Sequence, residues 1–278
     1  KSDSSGYLGS KLHLYNRFQI KSKSQRGFIS WEKDKGEISF IGNTYKYGYQ
    51  RNVKGIIKQI NLGSFSAHIG EGLIHSNNFI ISKTNPIESF QAIIAPIKIN
   101  SGASEYNFEN GIAVMSRYKS ISNTSFYSRK IINGEIENGA IKSIKSDGLY
   151  NTYSQLEKKN IGAISTYGAL TQFKCNKTII GYNFTFKSFS SEYKPPDTYY
   201  NKNYGLDAYN LNQSLNYKFL SNKWLLRGEL AIDKELNKAS NHFFSFSPDD
   251  DFNILINMRS FSSKYKSYQS STFSESSR

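Results

Sequence analysis

Lys177-Thr178-Ile179-Ile180-Gly181-Tyr182-Asn183-Phe184-Thr185-Phe186-Lys187 is the stretch on which the fold turns. Taken alternately, Thr178, Ile180, Tyr182, Phe184 and Phe186 fall on one side. Lys177, Ile179, Gly181, Asn183, Thr185 and Lys187 fall on the other. Successive side chains of a strand point to opposite faces, so this is a strand with one aromatic and one polar, basic face. Its length matches the roughly 9–11 residues that cross a bilayer when a strand is tilted.

The same division recurs outward from this stretch. In Lys11–Lys21, Leu12, Leu14, Asn16, Phe18 and Ile20 oppose Lys11, His13, Tyr15, Arg17, Gln19 and Lys21. In Lys223–Asp233, Trp224, Leu226, Gly228, Leu230 and Ile232 oppose Lys223, Leu225, Arg227, Glu229, Ala231 and Asp233. Asp251–Ser260 repeats it, and Leu211–Leu220 runs in the opposite phase. Weaker alternation marks Gln25–Lys33, Val53–Leu62, Ser64–Gly70, Gly111–Lys119, Ser120–Lys130, Ile161–Phe173 and Ala239–Phe246. The pattern predicts about twelve strands in six hairpins.

The connections are unequal. Short ones are expected at Ser22–Ser24, Gly63, Tyr118–Ser120, Lys174–Asn176, Leu220–Asn222 and Ser247–Asp250. Long ones fall at Asp34–Asn52, Glu71–Asn110, Ile131–Asn160 and Ser190–Asn210, with a brief one at Lys234–Lys238. A single helical turn is expected within Thr152–Lys159. A soluble β-sandwich also alternates, with its apolar face inward. Mid-strand Lys and Arg, aromatics near strand ends and one-sided loops favour a membrane instead. The predicted fold is an all-β antiparallel transmembrane β-barrel, one domain over residues 1–278, with short periplasmic turns and long extracellular loops.

Composition agrees. Only 37% of the chain is hydrophobic while 15% is aromatic, with 20 Tyr and 19 Phe, which suits pleated, half-solvated surfaces better than a thick aliphatic core. No run approaches the ~18–20 apolar residues of a transmembrane helix, and the most apolar, Phe90–Ile97, contains Pro96. The lone Cys175 excludes an intramolecular disulfide. The polar start and the absence of a closing aromatic at Ser276-Ser277-Arg278 lead us to expect a processed or partial barrel.

Several motifs resemble an uncharacterised outer-membrane barrel family of Bacteroidota. Gly6-Tyr7-Leu8-Gly9-Ser10-Lys11-Leu12-His13 is similar to its opening, and Gly70-Glu71-Gly72-Leu73 to its glycine-rich strand end. Phe126-Tyr127-Ser128-Arg129-Lys130 and Thr272-Phe273-Ser274-Glu275-Ser276-Ser277-Arg278 resemble two further signatures. Tyr150 stands where the family usually has His, and Ser276 where it usually has Gly. The resemblance implies a barrel often joined to periplasmic helix-hairpin-helix repeats, a DNA-binding unit absent from this chain. It implies no activity.

Chemistry follows from which face lines the lumen. The polar faces place Lys11, His13, Arg17, Lys54, Lys58, Arg117, Lys187, Lys218, Arg227 and Arg259 inside, in keeping with the formal charge of +14. Such a lumen would favour anionic solutes or DNA. Gly70 and Gly72 are expected where the strand leaves the wall. The apolar segment after them, with Phe90 and Pro96, is expected to fold into the lumen as a constriction or over its mouth. His68, Glu71 and His75 form a conceivable metal set, but strand-to-loop geometry should splay them; no metal, cofactor or catalytic residue is assigned. The reading is an outer-membrane pore or envelope transport component of a Gram-negative bacterium, in contact with membrane lipid and lipopolysaccharide. The alternatives are a DNA-uptake protein, a barrel-wall hydrolase and a soluble secreted β-protein.

Overall fold

A computed structural model describes residues 6–38, 44–77, 95–102, 106–196, 207–249 and 252–270. Among the described residues, twelve strands form one continuous wall. They are β1 (Leu14–Lys21), β2 (Gln25–Lys33), β3 (Thr44–Asn52), β4 (Ile57–Ile69), β7 (Glu109–Tyr118), β8 (Ile121–Ile132), β11 (Gly162–Cys175), β12 (Thr178–Phe189), β13 (Tyr209–Leu220), β14 (Trp224–Asp233), β15 (Lys238–Phe246) and β16 (Ile254–Phe261). Each is hydrogen-bonded antiparallel to its neighbours in that order, and β1 and β16 are the two edges. Two short strands, β5 (His75–Ser76) and β6 (Ile97–Ile99), pair with β4 inside the wall. A loop hairpin, β9 (Gly134–Glu137) with β10 (Ala140–Ile144), and the helical turn α1 (Tyr153–Leu156), capped by Thr152, sit at the long-loop end.

The wall is turned inside out relative to a soluble sandwich. On β12, Ile180 and Tyr182 are about half exposed (54% and 48%), whereas Asn183 and Thr185 are buried (0% and 1%). Leu215 and Leu230 continue the exposed face, and Asn212, Ser214, Glu229 and Asp233 the buried one. The antiparallel register sets Asn183 opposite Ser214, and Ser214 opposite Ala231, so one polar face runs across the neighbouring strands. The alternation read from Lys177–Lys187 therefore holds, with the apolar side outward.

Two sequence expectations are corrected. Residues 44–52 form strand β3 rather than part of a loop: Tyr45, Tyr47 and Tyr49 point outward and Lys46 and Gly48 inward. Gly63 is not a hairpin turn but lies within β4. Up to Gly63, β4 pairs with β3; beyond it, β6 takes the place of β3, and nearly every residue from Ser64 to Ile69 is buried. Gly63 adopts φ +81°, and a Cβ there would lie 2.5 Å from the Tyr47 carbonyl oxygen. That residue is where the strand leaves the wall for the lumen. The short connection is instead the 53–56 turn, so the two errors cancel and the wall strands still number twelve.

Candidate functional site: the filled lumen

Past Gly63 the chain crosses the interior. Gly70 turns with φ +60° and Gly72 with φ +87°, Gly72 N–H donates to the Ile69 carbonyl (3.0 Å), and β5 returns along β4 with His68 opposite Ser76. The hairpin tip reaches the far wall at β14. There the Glu229 carboxylate accepts the backbone N–H groups of Glu71 (2.7 Å) and Leu73 (3.0 Å) and the Ser214 hydroxyl (2.5 Å). Glu71 in turn reaches Arg227, Oε2 to Nε 3.3 Å. A Cβ on Gly70 would lie 2.6 Å from Glu229 Oε1 and 2.8 Å from Asn183 Nδ2, so glycine is required by space as well as by backbone angle.

A second segment, 262–270, lies over this hairpin. Tyr265 OH donates to the Leu73 carbonyl (3.1 Å), Ser267 Oγ to Ile74 (3.1 Å), and Ser270 Oγ to Gly72 (3.2 Å). Ser76 N–H donates to the Gln269 carbonyl (2.8 Å). The segment is fixed to the wall as well, because Asp233 accepts the Lys266 N–H (3.0 Å) and Asn212 Nδ2 donates to the Lys266 carbonyl (2.9 Å). The plug thus has two parts, each bonded to the other and to β13–β14. Phe65, Ile69, Leu73, Ile74, Phe126 and Tyr265 pack at its centre.

Charged groups close the far side of the plug. His75 is wholly buried, with Lys187 Nζ 3.0 Å from its Nδ1 and Glu109 Oε1 3.4 Å from its Nε2. Ser128 Oγ donates to Glu109 (2.5 Å) and Asn77 Nδ2 to the same carboxylate (3.4 Å). Lys187 also donates to Gln269 (2.5 Å). His75 lies on the inward segment, outside the wall strands; burial, aided by the Lys187 charge, pushes it down to about 3, so the ring is neutral. Burial raises the Glu71 carboxyl, against the pull of Arg227 and Lys218.

The expected lumen cations divide by position. Lys187 is buried, with its Nζ on His75 and Gln269 of the plug. Lys218 and Arg227 stand directly opposite each other on the inner face, half-buried. Arg17 on β1, Arg117 on β7 and Arg259 on β16 occupy inner-face register positions and are exposed. Lys54 is corrected to the 53–56 turn, and Lys11 to the exposed chain before β1; neither lies on a wall strand. Lys58 is exposed beside the register shift at the start of β4. His13, also ahead of β1, lies against Glu32 and Asp34. Pro96 accepts the His68 N–H (2.8 Å), which docks the returning chain on β4; Phe90 lies outside the described residues. Among the described residues, His68, Glu71 and His75 do not converge on one point: His68 binds Ser76, Glu71 binds Arg227, and His75 binds Lys187.

Sequence reading missed two inward lysines. Lys46 donates to Asn100 (3.1 Å) and the Gly102 carbonyl (2.9 Å), and Lys130 to the Tyr106 carbonyl (2.7 Å) with its Nζ 3.7 Å above that ring. Strand parity marks Lys130, Glu109 and Ser128 together, since Glu109 follows the phase of Ala113 and Ser128 that of Phe126. Nothing in the sequence shows which loop segment meets them.

The sequence matches no family model and no curated protein. Among solved structures, two mutants of the Rh. blastica porin are similar over 90% of this chain and 84% of theirs, at 10% identity and TM-scores of 0.31 and 0.32. At so low a TM-score the likeness decides nothing about function.

Proposed function

We propose that the chain is an outer-membrane β-barrel of a Gram-negative bacterium, acting as a plugged pore or envelope transport component without catalytic chemistry. The observation that carries this reading is the polarity of the wall: apolar side chains outside and Asn, Thr, Lys and Glu inside. Water outside would favour the reverse; hydrocarbon outside favours this arrangement. Aromatics ring the outer surface at two heights. Tyr127, Tyr167, Phe186 and Tyr209 are in ring contact across β8, β11, β12 and β13, while Trp224 and Phe246 stack at the short-turn end. On β11, Tyr167 and Phe173 are separated by roughly 20 Å of strand at ~3.3 Å per residue, which suits a bilayer's apolar band. The short turns would face the periplasm and the long loops the exterior.

The inward hairpin and the 262–270 segment bridge the interior from β4 to β13–β14, so the plug is the element whose movement would widen a path. It occupies Lys187, Lys130 and Lys46 with internal partners, while Arg17, Arg117 and Arg259 stay exposed at inner-face positions, so DNA tracking through the lumen keeps only part of its basic lining. It also disfavours a wall hydrolase. Ser128 is bonded to Glu109 rather than to His75, and the Ser76–His68 pair (2.9 Å) is buried. The test is extraction and conductance. Detergent-dependent extraction, heat-modifiable gel migration and a small, noisy conductance in planar bilayers are expected; full solubility without detergent would overturn the reading.

A further inference from the structure

We propose that His13, Glu32 and Asp34 form a divalent transition-metal site at the long-loop rim, clasping edge strand β1 to β2. The register builds it. Leu14 pairs with Lys33 and Tyr15 with Glu32, so His13 falls opposite Asp34, with Glu32 two residues back on the same face. One ligand atom from each of the three lies within 4.8 Å of the others. His13 Nδ1 stands 3.3 Å from Asp34 Oδ1, and Nε2 stands 3.7 Å from Glu32 Oε1. The two contacts use different ring nitrogens, and a metal takes only one of them, so the carboxylate beside the other must swing in through its own torsions. The 4.8 Å spread of one atom from each residue has to close to the ~3.4 Å between ligand atoms that share a metal at bond lengths near 2.1 Å.

Three details point to a cation beyond the ring itself. One imidazole cannot neutralise two carboxylates, whether or not it is protonated; a divalent ion can. Lys33, between the two acids in sequence, turns its Nζ to the carbonyls of Leu12 (2.9 Å) and Asp34 (3.2 Å) rather than to a carboxylate. Those bonds, with Asp34 N–H donating to Glu37 (3.1 Å), hold the backbone on both sides of the cluster. A mixed N,O,O donor set selects Zn²⁺ or Mn²⁺ over Mg²⁺ and Ca²⁺, which prefer all-oxygen cages. The cluster is partly exposed, so the ion has an entry path and water can complete its shell.

Calorimetric titration of the full chain in detergent with ZnCl₂, using MgCl₂ as control, tests the site. One equivalent of Zn²⁺ should bind in the micromolar range. His13→Ala and Asp34→Asn should each weaken it at least tenfold, and His242→Ala, a histidine on the outer face, should leave it unchanged. Each variant must show wild-type heat-modifiable migration, which is expected because all three positions are at the surface. Absence of Zn²⁺ binding up to millimolar concentration, or binding indifferent to His13→Ala, would overturn the proposal and leave a simple ion pair.

Discussion

Replacing Glu229 with Ala tests whether the plug is held shut from the opposite wall. The carboxylate accepts two backbone N–H groups from the hairpin tip and the Ser214 hydroxyl, at 2.7, 3.0 and 2.5 Å. Removing it leaves three donors without that acceptor, of which the Glu71 and Leu73 N–H groups belong to the plug and the Ser214 hydroxyl to the wall whether the plug is docked or not. Each buried orphan costs about 1–3 kcal/mol, so the docked plug should lose about 2–4 kcal/mol once water entering the new space is allowed for. At about 1.4 kcal/mol per factor of ten, the open fraction should rise by about 10–10³. The β13–β14 ladder is backbone-bonded and does not depend on this side chain, so the wall should survive. Glu229→Gln retains one oxygen but turns an NH₂ toward a donor, and should fall between the two. Single-channel recording in planar bilayers reads the result, with heat-modifiable migration as the folding control. An Ala variant that migrates as a folded barrel yet conducts like the unaltered protein would refute the latch.

Three further outcomes follow from the same geometry. Gly70→Ala should weaken plug docking by about 1–3 kcal/mol, because φ is +60° and the added methyl meets Glu229 and Asn183; a raised open probability at unchanged wall stability checks it. His75 is held down to about 3 against an ordinary 6.5, so the neutral ring's contribution is complete above pH 6.5 and is lost as pH falls toward 3. Each pH unit in that window costs the docked state about 1.4 kcal/mol, so conductance should rise on acidification and the slope should flatten in His75→Asn. Cys175, exposed at the β11–β12 turn, should resist a membrane-impermeant maleimide in intact cells and react once the outer membrane is permeabilised. Ser146→Cys, exposed in the long loop after β10, should do the opposite in a Cys175→Ser background, and labelling of both in intact cells would exclude the proposed orientation.

Alternation revealed the wall wherever one face was clearly aliphatic or aromatic, as in β12, β13, β14 and β16. It failed at β3, whose outward face is tyrosine and whose inward face is Lys46 and Gly48. Without Leu or Ile, that segment reads as polar loop, although its period is that of a strand. It failed again at Gly63, where glycine between two alternating runs has the same signature as a turn. Only the path of the chain shows that the residue redirects one strand. The lumen was legible as polar but not as full. Parity tells that Lys187 points inward; it does not tell that His75 and Gln269, far away in sequence, arrive to meet it. Gly70 and Gly72, expected where the strand leaves the wall, instead turn the hairpin tip against β14 after the chain has left at Gly63, and that placement depends on contacts no local pattern records.

The two edges carry a constraint of their own. On the proposed membrane reading each unpaired backbone N–H and C=O in hydrocarbon would cost several kcal/mol, so β1 and β16 would need partners there. The β1–β2 turn, at 22–24, and the β15–β16 connection, at 247–253, belong to the short-turn end. Strand β1 therefore runs from the loop side to the turn side, and β16 runs back to the loop side. The two edges are already antiparallel. They can pair with each other directly, or with strands placed between them, but those must come in even number, because an odd one would force a parallel pair into an otherwise antiparallel ring. The inner positions Tyr15, Arg17 and Gln19 on β1, and Asn257 and Arg259 on β16, are exposed, as is Arg117 on β7, whereas Asn183, Ser214, Glu229 and Asn241 in the middle of the wall are buried. Closure would cover these residues and bring two arginines toward one seam.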